Sequence, residues 1–433
     1  MQQVDTVVVG AGIVGLTAAE AVSRAGRDVV VVEASNRVGG RIVRMTRGGD
    51  ALEAGAQGIH NNYREMHAMI ARHDLAGDLR PSSGKVQYLD RGAQPRVSGG
   101  NADLMQILGV RGTADLIQFR TRYFTLAKKF PQFEINRDIP EYDNVLASQS
   151  FGWAGERFHD FVLRPMIHAM CNTRPDQTNL YHVINSLRLR LTTTIQSLRT
   201  GNVTLCERLA EKVPVKLDAP VEQLLTSKGR VEGVQLADGR TIKARHVIVA
   251  TTIGAAGRMT PDEFGPAKHF LESFTYSPMP LVVLFLDRPR PEEAYAFMGH
   301  HHHDAIFNMA LDHGKKTPFL APSGKSIITA WPAYPNTALQ LAKSDSEIIA
   351  QALADLAPQL PGLAEQVEEA RVMRHDWAVA RYGPGAHRRI IDFKAYARTL
   401  GGVSYAGNDY DGVHMESGVR SALRAAERSL RDA

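Results

Sequence analysis

Gly10, Gly12 and Gly15 stand in a GxGxxG spacing, and Glu33 closes the next apolar run. That combination is suited to holding a dinucleotide. Gly10 permits a tight turn, Gly12 lets the backbone approach a pyrophosphate, and Gly15 lets a helix pack on a strand. The free N–H groups and positive dipole end of that helix then face the phosphates. A carboxylate at Glu33 can accept hydrogen bonds from both ribose hydroxyls of the adenosine half, and it disfavours a 2′-phosphate. A lone GxGxxG is weak, since its plain alternative is a glycine-rich loop. The flanking elements strengthen it without separating FAD from NAD.

Those elements are a buried strand over Asp5–Val9, a helix over Val14–Arg24 and a second strand over Asp28–Glu33, which make a βαβ unit and begin a parallel sheet. From Tyr63 to about Leu198 the pattern turns mostly helical, with amphipathic stretches over Asp115–Lys128 and Asn179–Gln196. Strands return over Val221–Leu225, Val231–Leu236, Thr241–Lys243 and His246–Ala250, with Asp238-Gly239 as a hairpin signal. A mixed segment follows, with strands near Leu281–Leu286 and Ser326–Trp331 and a helix from about Asp345, where Ser344 and Glu347 have capping-box spacing. A last strand, Val403–Ala406, leads through a glycine-containing loop into a helix over about His414–Leu430. The expected division is therefore 1–62, 199–260 and 401–433 for a discontinuous nucleotide domain, 63–198 for a helical insert and 261–400 for a substrate domain.

Gly39-Gly40-Arg41 follows Glu33 at the distance seen in the flavin amine oxidase superfamily, which the sequence resembles without a gap over residues 4–41. As bare residues the three read as a surface turn with a solvated Arg. The resemblance instead sets Gly39, Gly40 and Arg41 beside a flavin diphosphate. Glu53-Ala54-Gly55-Ala56-Gln57 resembles the family's acid-x-Gly segment near the flavin, so Gly55, Ala56 and Gln57 are cofactor candidates. The Gly407–Gly418 block resembles its closing segment, and Val221 falls where a strand offers its backbone to adenine. The resemblance implies an α/β fold: a discontinuous Rossmann-type FAD-binding domain (GR2-like) with an interleaved α+β substrate domain and a helical insert. Amine oxidases, protoporphyrinogen oxidases and carotene desaturases share this pattern.

By the same resemblance the helix near His414 points its N-terminus at the flavin pyrimidine ring, with Met415 the contacting backbone group and Gly407 and Asn408 beside the diphosphate and ribityl chain. Met415 at helical spacing also reads as core. Amine oxidases of the family place two aromatic rings before the flavin. Tyr410 matches one, as a pocket wall, and His387 falls on the other. The preceding position, a flavin-linking cysteine in some members, is Ala386, so FAD is expected to be bound non-covalently. The family's lysine beside the flavin falls near Pro280, where no lysine stands. These departures, with the Arg381–His387 stretch, resemble the branches that remove hydride from carbon next to carbon. His387 reads equally as a base and as a hydrogen-bonded structural histidine.

A net charge of +5 without a run of consecutive Lys or Arg gives no nucleic-acid signature. No apolar run reaches the roughly 20 residues a bilayer demands, and the amino terminus enters a strand at once, so the cytoplasm is the default compartment. Cys171 and Cys206 form no CxxC and read as buried thiols. His300–His303 reads as a solvated loop, because consecutive residues cannot all face one metal, and no metal site is expected. Gly254–Gly257 makes no second dinucleotide motif, so dioxygen, a quinone or a protein is the expected electron acceptor. The substrate is read as a small lipophilic molecule or an amine. Phe119, Tyr123 and Phe124 are candidates for a lipophilic entrance or a peripheral membrane contact, or for core, and a homodimer is also allowed. The leading activity is hydride removal with carbon–carbon desaturation favoured. Amine oxidation, a flavin-dependent isomerase or mutase, and a binding protein with structural FAD are the competing readings.

Overall fold

The computed structural model describes residues 2–82, 84–90, 95–124, 130–299 and 305–432. The histidine run His300–His303 lies outside them. The run of four valines in Val29–Val32 is buried on both faces, as parallel strands are when helices cover them. It pairs in parallel with Gln2–Val9, which pairs in parallel with Thr241–Val249. Val215–Lys216 extends one edge, and Val403–Tyr405 joins the far half of Thr241–Val249, also in parallel. The near half of that strand instead carries an antiparallel meander, Arg230–Leu236 and Val221–Ser227. The two runs expected over Thr241–Lys243 and His246–Ala250 are thus one strand, which serves two sets of neighbours.

A second seven-stranded sheet runs in the order Val367–Ala380, Tyr276–Leu286, Ile327–Pro332, Phe307–Asp312, Ala294–Met298, Lys85–Tyr88 and Arg96–Ser98. Its last two strands come from the segment expected to be a helical insert. That segment also supplies Leu79–Ser82 and Ile195–Leu198 to a small three-stranded sheet, so it is helical only in part. The anticipated capping box is present, with Ser344 Oγ accepting from Glu347 N and the Glu347 side chain accepting from Ser344 N.

Phe119 and Tyr123 are core residues, packed with Phe151 and Phe158 inside the insert, and not an entrance. The same helix, Asn101–Phe124, shows Val110 and Ile117 outward instead. Among the described residues no helix is long and apolar enough to cross a membrane.

Candidate cofactor and active site

The glycine turn is built by close approach. Gly10 has φ +104° and donates its N–H to Val32 O at 2.8 Å. A Cβ on Gly15 would sit 1.9 Å from Gly10 O, so the helix Ile13–Arg24 rests directly on the turn. Gly12 differs: a Cβ there would meet nothing nearer than 3.9 Å, the Cα of Gly40. It is the helix N-cap and carries no side-chain cap, which leaves the first-turn N–H groups for a ligand. Gly39 N–H donates to Ala11 O at 2.9 Å, closing the Gly39-Gly40 pair against the turn. Glu33 accepts from Ala11 N at 2.7 Å and from Ser35 N and Oγ at 2.9 and 2.8 Å. Its own carbonyl accepts from Ala219 N at 2.8 Å, which brings the start of the Val221 strand alongside. Gly10, Gly12, Gly15, Glu33, Gly39, Gly40 and Val221 therefore share one place.

Arg41 joins that place to the carboxy-terminal block. Its guanidinium makes a bidentate pair with Asp409, at 3.0 and 2.9 Å, and donates to Asn408 Oδ1 at 2.7 Å. Asp409 is 1% exposed and also accepts from the Tyr276 hydroxyl at 2.7 Å, whose oxygen in turn accepts from Ile253 N at 2.8 Å. Tyr382 donates to Asp409 O at 2.9 Å. Asp409 and Tyr276 went unremarked in the sequence because Asp409 lies 368 residues from Arg41 and 133 from Tyr276. A Cβ on Gly55 would lie 2.0 Å from Arg41 O, so only glycine lets the acid-x-Gly segment run against the arginine. Ala56 N–H donates to that same oxygen at 2.9 Å.

Gln57 donates to Glu53 O at 3.1 Å and accepts from the buried ammonium of Lys316. Pro280 pairs with Arg374 in the second sheet, as a position without a lysine. The lysine that the structure brings to the Gln57 segment comes instead from the short helix His313–Lys316, which motif spacing could not reveal. Burial pushes Glu53 up to about 7, against Asn202 N and Lys316. Burial likewise pulls Lys316 down to about 8, against the pull of Glu53.

The final helix begins at Met415 and is locked to the first, since a Cβ on Gly418 would lie 2.9 Å from Val14. Around its start stand buried imidazoles. Burial pulls His414 to about 4, and burial with the charges of His414 and Arg190 pulls His60 to about 3. Burial, then His387 and His414, holds His182 well below the ordinary histidine range. The His182 ring lies 4.5 Å from that of Tyr382, and the His387 ring 4.0 Å from that of Tyr181. His387 Nδ1 is 2.9 Å from Asp143 Oδ1 and 3.0 Å from Asn179 Nδ2. Burial keeps His387 below its ordinary value, with Asp143 opposing.

Tyr410 does not stand in this group as a pocket wall. Its ring stacks on Phe393 at 5.3 Å, which stacks on Phe270 at 4.5 Å, and its enclosed hydroxyl has no partner. The alternation of apolar residues in the helix Ala386–Ala397 draws the ring into the core beside the nucleotide sheet. His414, nearer the helix start, was passed over because a histidine before a helix carries no spacing signal.

These residues fit a flavin dinucleotide. Gly12 and Gly40 leave an open cradle that a Cβ would begin to fill. Thr252 Oγ1, beside the Gly10 contact Thr251, and Ser417 Oγ, beside Gly412, are buried without a partner, as is His182 Nε2. Asn408 meets Arg41, Gly407 N–H donates to Ser421 Oγ on the final helix at 3.2 Å, and Met415 opens that helix.

A family model described as flavin containing amine oxidoreductase matches residues 13–430. Putrescine oxidase of Kocuria rosea is 44% identical over 85 residues, 20% of this chain and 18% of that protein. Hydroxyneurosporene desaturase of Cereibacter sphaeroides is 25% identical over 271 residues, 56% of this chain and 55% of that protein. The chain thus spans about half or less of the length of the curated relatives it matches. Among solved structures, a putrescine oxidase triple mutant superposes with a TM-score of 0.81 at 18% identity, covering 100% of both chains. Cyclohexylamine oxidase from Brevibacterium oxydans does so with 0.77 at 19%, covering 99% of each. These likenesses show the fold, and the family match shows the family: the chain belongs to the flavin-containing amine oxidoreductases.

Proposed function

We propose that the chain removes a hydride from a substrate carbon next to carbon, leaving a C=C bond, with electrons passed on to dioxygen or another acceptor that is not a nicotinamide. FAD, when bound, supplies the hydride acceptor. Gly10, Gly12, Gly15, Glu33, Gly39, Gly40 and Val221 hold its adenosine diphosphate half. Arg41, Gly55, Ala56, Gln57, Gly407, Asn408 and Met415 hold the middle and the ring end. Ala386 offers no thiol, so the attachment is non-covalent.

The observation that favours desaturation is the use of Asp143. Its Oδ1 takes Asn179 Nδ2 at 2.7 Å, His387 Nδ1 at 2.9 Å and His387 N at 3.1 Å, and its Oδ2 takes Arg388 N at 3.0 Å. A carboxylate so engaged has nothing to offer an alkylammonium, while it fixes His387 with Nδ1 protonated and Nε2 as the basic nitrogen. The His387 Nε2 atom then accepts the proton that leaves as the hydride goes. The imidazoles of His60, His182 and His414 are neutral by burial and give the pocket a polar but uncharged wall.

A second reading, oxidation next to nitrogen, rests on Lys316, a buried ammonium delivered to the Gln57 segment. Anaerobic mixing of the FAD-loaded protein with lipophilic amines, and separately with saturated cyclic ketones, decides between them. Bleaching of the flavin by the ketones, with the enone as product, is the expected result. Bleaching by an amine alone, with aldehyde and ammonia on reoxidation, reverses the assignment. An isomer of unchanged mass with no acceptor consumed would replace both.

A further inference from the structure

The helix Asn101–Phe124 breaks at Gly109, where φ is +66°, and the part after the break has two opposite faces. Gly112, Asp115, Phe119 and Tyr123 are buried on one. Val110, Ala114, Ile117 and Thr121, spaced i, i+4, i+7 and i+11, form the stripe directly opposite. Val110 is 92% exposed and Ile117 60%. A shallow groove lined by Ala114, Ile117, Gln118, Thr121 and Arg122 lies along the same stripe. Six large apolar side chains are exposed among the described residues, and four of them, Val97, Met105, Val110 and Ile117, belong to this helix or to the edge strand Arg96–Ser98 packed on it. A scattered exposed residue is ordinary, whereas a concentration on one element marks a contact surface.

The rim of that stripe is cationic. Helical spacing sets Arg111 and Arg122 along one border and Arg120 along the other. Arg120 lies over the Phe124 ring at 5.6 Å and Arg122 over the Tyr123 ring at 5.5 Å, and neither has a carboxylate partner among the described residues. Arg111 pairs with Asp115 at 3.0 Å, but that acid is buried, and its other oxygen accepts from Gly155 N at 2.9 Å. The helix's second acid, Asp103, stands in the first turn, before the break, and accepts from Gly99 N at 2.8 Å. Along 110–124, therefore, the outward face carries apolar and cationic side chains and no acid of the helix.

We propose that this face is a docking surface for an anionic lipid bilayer, on which the protein rests without crossing it. Val110 and Ile117 enter the boundary between headgroups and acyl chains, while the long stems of the arginines let their guanidinium groups reach the lipid phosphates. The net charge of +5 acts in the same direction as the rim, drawing the molecule toward an anionic surface. A second copy of the chain is a poorer occupant, because a two-fold contact through this stripe sets each cationic rim against its own image.

Co-sedimentation of the FAD-loaded protein with vesicles tests this, using phosphatidylglycerol mixed into phosphatidylcholine and, separately, phosphatidylcholine alone. The protein should pellet with the anionic vesicles, stay in the supernatant with the neutral ones and be released as salt is raised. V110S/I117S and R120Q/R122Q should each keep the flavin absorbance and the Tm of the parent, and each should bind the anionic vesicles about tenfold more weakly. Should V110S/I117S fail to fold, I117S alone carries that arm. No pelleting with anionic vesicles, equal pelleting with neutral ones, or undiminished binding by either variant overturns the proposal. A doubled mass in solution that V110S/I117S abolishes assigns the face to a second copy and overturns it as well.

Discussion

Glu53 has one oxygen served by Asn202 N at 2.6 Å and the other buried with no partner. Burial lifts its carboxyl from 4.5 to about 7 in the folded chain. A raised folded value means that folding favours the protonated acid, so its contribution is complete below the unfolded value and is lost as pH rises from 4.5 to about 7. That loss is worth about 3 kcal/mol. Denaturant unfolding at pH 5 and pH 7.5 should therefore show a smaller drop for Glu53→Gln than for the parent. At His387 the expectation concerns rate. Asp143→Asn removes the charge that orients the imidazole and should lower turnover about 10²-fold or more while FAD stays bound. A turnover left intact in steady-state assays would return His387 to a structural role. The glycines and Glu33 were legible because one strand, one turn and one helix place them. Asp143, Asp409, Lys316 and His414 were not, because each acquires its meaning from a partner that only the folded chain brings near.

Elements are held by caps and contacts as much as by their own pattern. Glu416 opens the final helix, yet its carboxylate accepts from Glu65 N at 3.1 Å and Met66 N at 3.0 Å, capping the helix Arg64–Arg72 from outside. Tyr63, that helix's own N-cap, offers no side-chain bond. Glu416→Ala should cost about 1–3 kcal/mol in chemical denaturation, through two orphaned donors and an unpaired Arg420. Gly15→Ala is harsher, because the new methyl would overlap a backbone oxygen that cannot move without the whole turn. It should yield protein without visible flavin absorbance. At this scale the sequence was informative wherever periodicity was clean, as in the Ser344 box and the final helix. It missed the short strands of the 63–198 segment, which take their identity from distant neighbours in the second seven-stranded sheet and the small three-stranded one.

The molecule as a whole is stitched from ends that are far apart in the chain. Val403–Tyr405 completes the parallel sheet and Met415–Asp432 covers the first helix, so removal of 401–433 strips the nucleotide fold of a strand and a face. A chain ending at Leu400 should be insoluble or cleaved throughout by dilute protease, with the second sheet no better protected than the first. Survival of a FAD-binding fragment would contradict that picture. The Arg41–Asp409 pair makes the same point in a single contact between the two ends.

A strand order of this kind also sets a timetable. On the ribosome, Gln2–Val9 emerges shortly before its neighbour Val29–Val32, but its other neighbour, Thr241–Val249, follows only after some two hundred further residues. Val403–Tyr405 comes later still. Until then the nascent sheet keeps an open edge and an uncovered apolar face, surfaces on which chains misassociate. Cofactor loading thus belongs after Val403–Tyr405 has joined the sheet.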